Sequence, residues 1–204
     1  MVCWMGGAAN AGPRLPSLQT GDLIFLDLDC GELCDAIEAV TKQQFRVRGP
    51  LLSHVGILSR ERGRWFVYEA WEMVQQTPLE QVLIRVSSDP ARWSVARLKG
   101  IDRKRQQRII AAAIRRLGNP YDADFLTDNG KYYCSEFVAE VFNEANEGQP
   151  VFAYRPMYYG GRFSRWRKVW RRYFKERGQA VPVGKPGISP LGIYLSDRLR
   201  PITR

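Results

Sequence analysis

The sequence predicts an α+β fold, and three observations carry that expectation. Short β-rich runs recur in the first half: "LIFL", then "SHVGILS" and "RWFVYEA" around a polar turn, then "VLIRV" and "WSVARL". Three segments space their apolar residues as helices do, and they are segregated from the strands rather than alternating with them. The 204 residues suffice for one domain with a real core, and 45% hydrophobic with 25% charged residues is ordinary globular composition.

Residues 1–20 read as an irregular lead-in rich in Gly, Ala and Pro, and 21–204 as the folded domain. "GDLIFLDL" is a turn and then a strand. "GELCDAIEAVTKQ" places Leu33, Ala36, Ile37 and Val40 at helical spacing. In "DRKRQQRIIAAAIRRLG", Asp102 is a candidate N-cap and Gly118 a stop. Ile109, Ile110, Ala113, Ile114 and Leu117 form its expected apolar stripe. "KYYCSEFVAEVF" starts a further helix at Cys134, with Phe137, Val138, Val141 and Phe142 on one face. Glu136 stands in its first turn, where a negative charge suits the helix dipole.

No apolar run approaches the roughly 20 residues of a membrane span. The opening "MVCWMGGAANAG" lacks the basic region of a secretory signal. The expectation is therefore a cytoplasmic protein, with peripheral membrane association or export by another route as the alternatives. Cys3, Cys30, Cys34 and Cys134 are then expected reduced. One Cys-x3-Cys pair and a single histidine do not make a structural zinc site, so no metal is expected.

His54 is the only histidine, so any chemistry that needs an imidazole must use it. If the hairpin turns between Glu61 and Arg62, His54 lies opposite Glu69, Gly56 opposite Val67 and Leu58 opposite Trp65. Glu69 then orients the ring as the third member of a triad does. Cys134, at a helix N-terminus, sees oriented N–H groups that favour a thiolate and an oxyanion. Gly56 leaves room beside His54. Taken alone, Cys134 reads as a small buried hydrophobe and His54 as a satisfied strand residue; together they read as nucleophile and base.

The ordered motifs "GDLIF", "AIEAVT", "SHVGIL", "VYEA", "GNPYDADF" and "YYCSEFV" resemble the permuted NlpC/P60 (papain-like) cysteine hydrolases, closest to their YiiX/YebB-like group. That group is related to the lecithin:retinol acyltransferase-like proteins. His54 precedes Cys134 by 80 residues, the permuted order, and Ser135-Glu136 stands where ordinary members have Ser-Gly. The resemblance covers about residues 20–145, and the tail "PVGKPGISP" is similar as well. It implies a permuted papain-like fold, with an antiparallel sheet or partial barrel against helices. It implies Cys134 as nucleophile, His54 as base, Glu69 as orienting residue, and Tyr121 as a site-lining residue that helps hold the oxyanion. No cofactor is needed.

The implied function is a cysteine hydrolase of amidase or peptidase type. A lipid acyl hydrolase or acyltransferase at a membrane surface is the alternative, and a catalytically silent binding module is a third. The substrate is a small-molecule, peptide or lipid acyl compound. "RFSRWRKVWRRYFKER", Arg162 to Arg177, has eight Lys/Arg against one Glu, with aromatics at helical spacing. It reads as a helix packing its aromatic face on the core, as a peripheral membrane or anionic-surface contact, or as a nucleic-acid contact. Nothing resembles a nucleic-acid-binding motif, so no nucleic acid is expected. Oligomeric state is not legible.

Overall fold

The computed structural model describes residues 17–202. Most of the lead-in, with Cys3, lies outside them. Strand β1 (Leu23–Leu26) sits near the middle of a six-stranded sheet. Its neighbours are β2 (His54–Glu61), β3 (Arg64–Ala70), β4 (Val74–Pro78), β5 (Trp93–Leu98) and β8 (Leu199–Ile202). The order is β4-β3-β2-β1-β5-β8, antiparallel throughout. The run "LIFL" is unbroken because both faces are covered. Leu23 and Phe25 join the core under the helices, while Ile24 and Leu26 join a second core with Leu58, Val67, Val82 and Val95.

The larger core is built by α1 (Glu32–Phe45), α3 (Arg103–Ile114), α4 (Cys134–Ala145), α5 (Arg165–Lys175) and α6 (Pro190–Tyr194). A small ribbon pairs β6 (Arg155–Pro156) with β7 (Pro186–Gly187). Helix α4 is the most buried: Phe137, Val138, Ala139 and Val141 are all sealed from solvent. In α5, Trp170 and Phe174 are buried, so its aromatic face packs on the core.

Asp102 caps α3 as the sequence predicts, accepting from the Arg105 N–H at 2.7 Å. The stripe on α3 is rotated from the predicted one. Ile109, Ala112 and Ala113 are buried, while Ile114 and Leu117 are largely exposed. The helix ends at Ile114, and Gly118 closes the following turns at positive φ by donating to the Val74 carbonyl.

Four expectations are corrected. "VLIRV" is not a strand: it falls mainly in α2 (Leu79–Ile84), which buries Leu79, Val82 and Leu83. The i, i+3, i+4 spacing begins at Leu79, three residues before the β-rich window. The β2–β3 turn is Arg62-Gly63, with Glu61 paired to Arg64 and Ile57 to Tyr68. The register is therefore two residues away from the predicted one. Gly56 serves strand packing rather than substrate access: a Cβ there would stand 2.4 Å from Val67 Cγ1. Cys30 and Cys34 are joined in a disulfide at the start of α1, so they are not reduced thiols. Their expected reduction rested on a compartment argument, which four-residue proximity overrides here.

One buried ion pair ties the sheet together. Arg97 donates from Nε to Asp22 Oδ1 at 2.6 Å and from Nη2 to Oδ2 at 2.8 Å. Both residues are buried. Removing one partner of such a pair strands the other charge. Asp22→Ala is expected to destabilise the fold by about 3 kcal/mol or more, which lowers the midpoint of thermal unfolding by about 6–12 °C. Differential scanning calorimetry checks this, and an unchanged midpoint refutes it.

Candidate functional site

Four segments meet at the N-terminus of α4. The first is the start of β2, where His54 is buried. The second is the end of β3. Here the two-residue register difference matters little, because a shift of two keeps side chains on the same face. Extending the observed pairing sets Glu69 across from Gly56 and makes His54 its diagonal neighbour, within reach of long side chains. His54 Nε2 lies 2.7 Å from Glu69 Oε2. That leaves Nδ1 as the ring nitrogen without Glu69, and Cys134 is close enough to raise the ring's affinity for its proton.

The third segment follows α2. Arg85 Nη1 donates to the same Glu69 oxygen at 2.8 Å. Its guanidinium lies 4.1 Å from the centre of the Trp71 ring, and Trp71 meets His54 edge-on at 5.4 Å. Sequence reasoning missed both residues. Arg85 was hidden by reading its segment as a strand, and nothing in the sequence marks Trp71 as a neighbour of His54.

The electrostatics follow from these contacts. Burial opposes charge on His54, but hydrogen bonds to Cys134 and Glu69 outweigh it and lift the imidazole from 6.5 to about 9. Burial likewise opposes charge on Glu69, and the hydrogen bonds and charges of His54 and Arg85 overcome it, holding the carboxyl down at about 2. An anionic carboxylate therefore faces a ring that prefers its proton.

The fourth segment is "GNPYD". Tyr121 bridges to Tyr132, the Asp122 N–H donates to the Tyr132 carbonyl at 3.1 Å, and the Tyr132 N–H to the Pro120 carbonyl at 3.1 Å. This stitching brings Tyr121 to the same cleft as Cys134. Buried Asp122 accepts from the N–H groups of Asp124 and Leu126 and shapes the loop that carries Phe125. Burial, and then the charge of Cys134, raises the Tyr121 hydroxyl well above its ordinary value, so it keeps its proton.

Cys134 is 6% exposed and is the first residue of α4, so its N–H has no acceptor within the helix. Glu136 accepts from the Tyr133 N–H at 3.4 Å. Burial, then the charge of Asp122, pushes Glu136 up to about 8. It therefore caps the helix largely as a neutral acid near pH 7, not through the dipole-matched charge the sequence suggests.

Cys134 opens into a narrow cleft with room of about 50 Å³. Its walls include Val40 of α1, Phe125, Tyr159, Trp170 of α5 and Ile188, with Tyr121 close by. The Ile188 wall is fastened to α4: Ser135 Oγ donates to the Ile188 carbonyl at 2.9 Å, and the Ile188 N–H to Tyr133 Oη at 3.1 Å. No helix among the described residues is long and apolar enough to cross a membrane.

A family model described as permuted papain-like amidase enzyme, YaeF/YiiX, C92 family, matches residues 17–162. YiiX of Escherichia coli K12, described as an uncharacterized protein, is 28% identical over 188 residues, covering 91% of this chain and 86% of that protein. The crystal structure of yiiX from Escherichia coli O157:H7, described as a metalloprotein, matches with a TM-score of 0.77 at 25% identity. That match covers 91% of this chain and 97% of the other.

Proposed function

The chain belongs to the permuted papain-like amidases of the YaeF/YiiX, C92 family, and from that premise we propose that it cleaves an amide whose acyl part is apolar, through a thioester on Cys134. The observation that supports this reading most is the 2.7 Å bond from His54 Nε2 to Glu69, which leaves Nδ1 free to serve Cys134. The thiolate attacks the carbonyl carbon. The S–C bond forms, and negative charge moves to the carbonyl oxygen. We assign the Cys134 N–H and the Tyr121 hydroxyl as the donors that receive it. The C–N bond then breaks as protonated His54 gives its proton to the leaving amine. Water, deprotonated by His54, attacks the thioester and releases a carboxylic acid and the thiol. The apolar walls next to Cys134 suit the acyl side of the substrate.

A related structure is described as a metalloprotein, so the donors here were weighed against a metal. They do not fit one. Among the described residues no three His, Cys, Asp or Glu side chains converge as ligands. The Glu69 oxygen nearest the only histidine already carries the Arg85 cation. No step is assigned to a metal.

The test is intact-mass analysis after incubation with N-acyl amides of short and long chain, with peptidoglycan fragments and with phospholipids. The expected result is a hydroxylamine-sensitive acyl adduct that Cys134→Ala abolishes, formed best from an apolar N-acyl amide. An adduct from phospholipid alone replaces amide by ester cleavage. A thiol-reactive electrophile that labels Cys134 no better than Cys3 sinks the enzyme reading.

A further inference from the structure

Outside the cleft, the largest unassigned feature is the cationic surface formed by α5 and the turn that precedes it. The turn is built for its place: Gly160 has φ of 85°, and a Cβ there would press within 2.7 Å of Ser164 Oγ. Ser164 caps the helix through the Arg167 N–H. The residues between are thereby pushed outward, and Phe163 is 89% exposed.

The cations around it are uncommitted. The one ion pair of α5 among the described residues joins Arg172 to Glu32 on α1. Among the described residues, Arg162, Arg165, Arg167, Lys168 and Arg171 pair with no carboxylate. Arg162 and Arg165 instead lie over the rings of Phe163 and Trp166, at 5.6 and 3.9 Å. Such stacking holds a guanidinium in place while leaving its N–H fork free for an anion. Arg162, Arg167 and Arg171 border one surface hollow beside Gly160.

The buried positions of Trp170 and Phe174 restrict what this surface can do. With those rings in the core, the helix cannot lie with its aromatic stripe in a bilayer. It presents instead a ring of cations around one protruding apolar side chain.

We propose that this surface docks on an anionic lipid bilayer, with Arg162, Arg165, Arg167, Lys168 and Arg171 over the headgroups and Phe163 inserted between them. Charge complementarity supplies the attraction. The protruding ring of Phe163 argues for a bilayer over a nucleic acid, because it gains from entering an apolar phase. The helix that docks also contributes Trp170 to the cleft wall. Docking thus sets the cleft beside the interface, a consequence that rests on the amidase reading, whereas the docking itself does not.

The test is co-sedimentation of the full chain with vesicles of phosphatidylcholine alone and of phosphatidylcholine mixed with phosphatidylglycerol. Binding is expected only to the mixed vesicles and is expected to weaken as salt rises. Joint replacement of Arg162, Arg165, Arg167 and Arg171 by Gln should weaken it by about a hundredfold or more, and Phe163→Ala by about tenfold. Both variants should label at Cys134 like the parent, which separates lost docking from lost folding or lost chemistry. Equal binding to neutral vesicles, no binding to mixed ones, or indifference to the four substitutions overturns the proposal. Tighter binding to an oligonucleotide than to mixed vesicles, unaffected by Phe163→Ala, also overturns it in favour of nucleic acid.

Discussion

Cys134→Ala is expected to abolish the acyl adduct and to lower turnover of the amide that forms it by about 10⁴-fold or more. The change removes one sulfur from a position that is 6% exposed, so the unfolding midpoint should stay near that of the parent. His54→Ala should cost a similar factor, because no second imidazole exists to replace it. On the proposed mechanism Cys134 and His54 act as a unit, so the double variant should be no worse than the poorer single one. Steady-state rates of the three proteins check this. A double variant worse by the product of the two factors means that the residues act independently.

Glu69→Gln is expected to lower kcat/KM by about 10²- to 10⁴-fold and to shift the alkaline limb of the pH profile. With Glu69 present, the imidazole holds its proton up to about pH 9. Glutamine keeps a hydrogen-bonding group but no charge, so that limb should move toward acid by about a unit or more. Arg85→Ala should act more weakly, through Glu69 and through the Trp71 ring it stacks on, since Arg85 bonds the carboxylate and not the imidazole. Stability responds with opposite signs at the two groups. The raised value of His54 contributes stability fully below 6.5, lost as pH rises through about 9. The depressed value of Glu69 contributes above 4.5, lost as pH falls through about 2. An alkaline limb unmoved by Glu69→Gln would falsify the orienting role.

The parts of the site legible in the sequence are those that local pattern and rarity expose. Cys134 announced itself by the apolar spacing behind it, and His54 by being the lone histidine. Glu69 was reached through a hairpin register off by two residues, and it survived because side-chain direction in a strand repeats every two. The residues missed depend on other physics. Arg85 follows a six-residue helix whose apolar, β-branched stretch is indistinguishable from a short strand when the window starts at Val82. The cleft is assembled from segments between Ile37 and Pro190, and no spacing rule joins positions so far apart. The disulfide was missed because compartment, not proximity, guided the expectation.

The order of the site along the chain has a consequence for synthesis. Both residues of the hairpin half, His54 and Glu69, precede Cys134, and 65 residues separate Glu69 from the thiol. At about 5–20 residues per second, the ribosome delivers the imidazole and its carboxylate roughly 3–13 s before the cysteine. Five of the six strands in the sheet, β1 to β5, precede α4 along the chain. The sheet that receives the reactive sulfur is thus largely available before that sulfur is made. The thiol emerges toward a partner already in place, which shortens the time it spends as a bare nucleophile on a nascent chain.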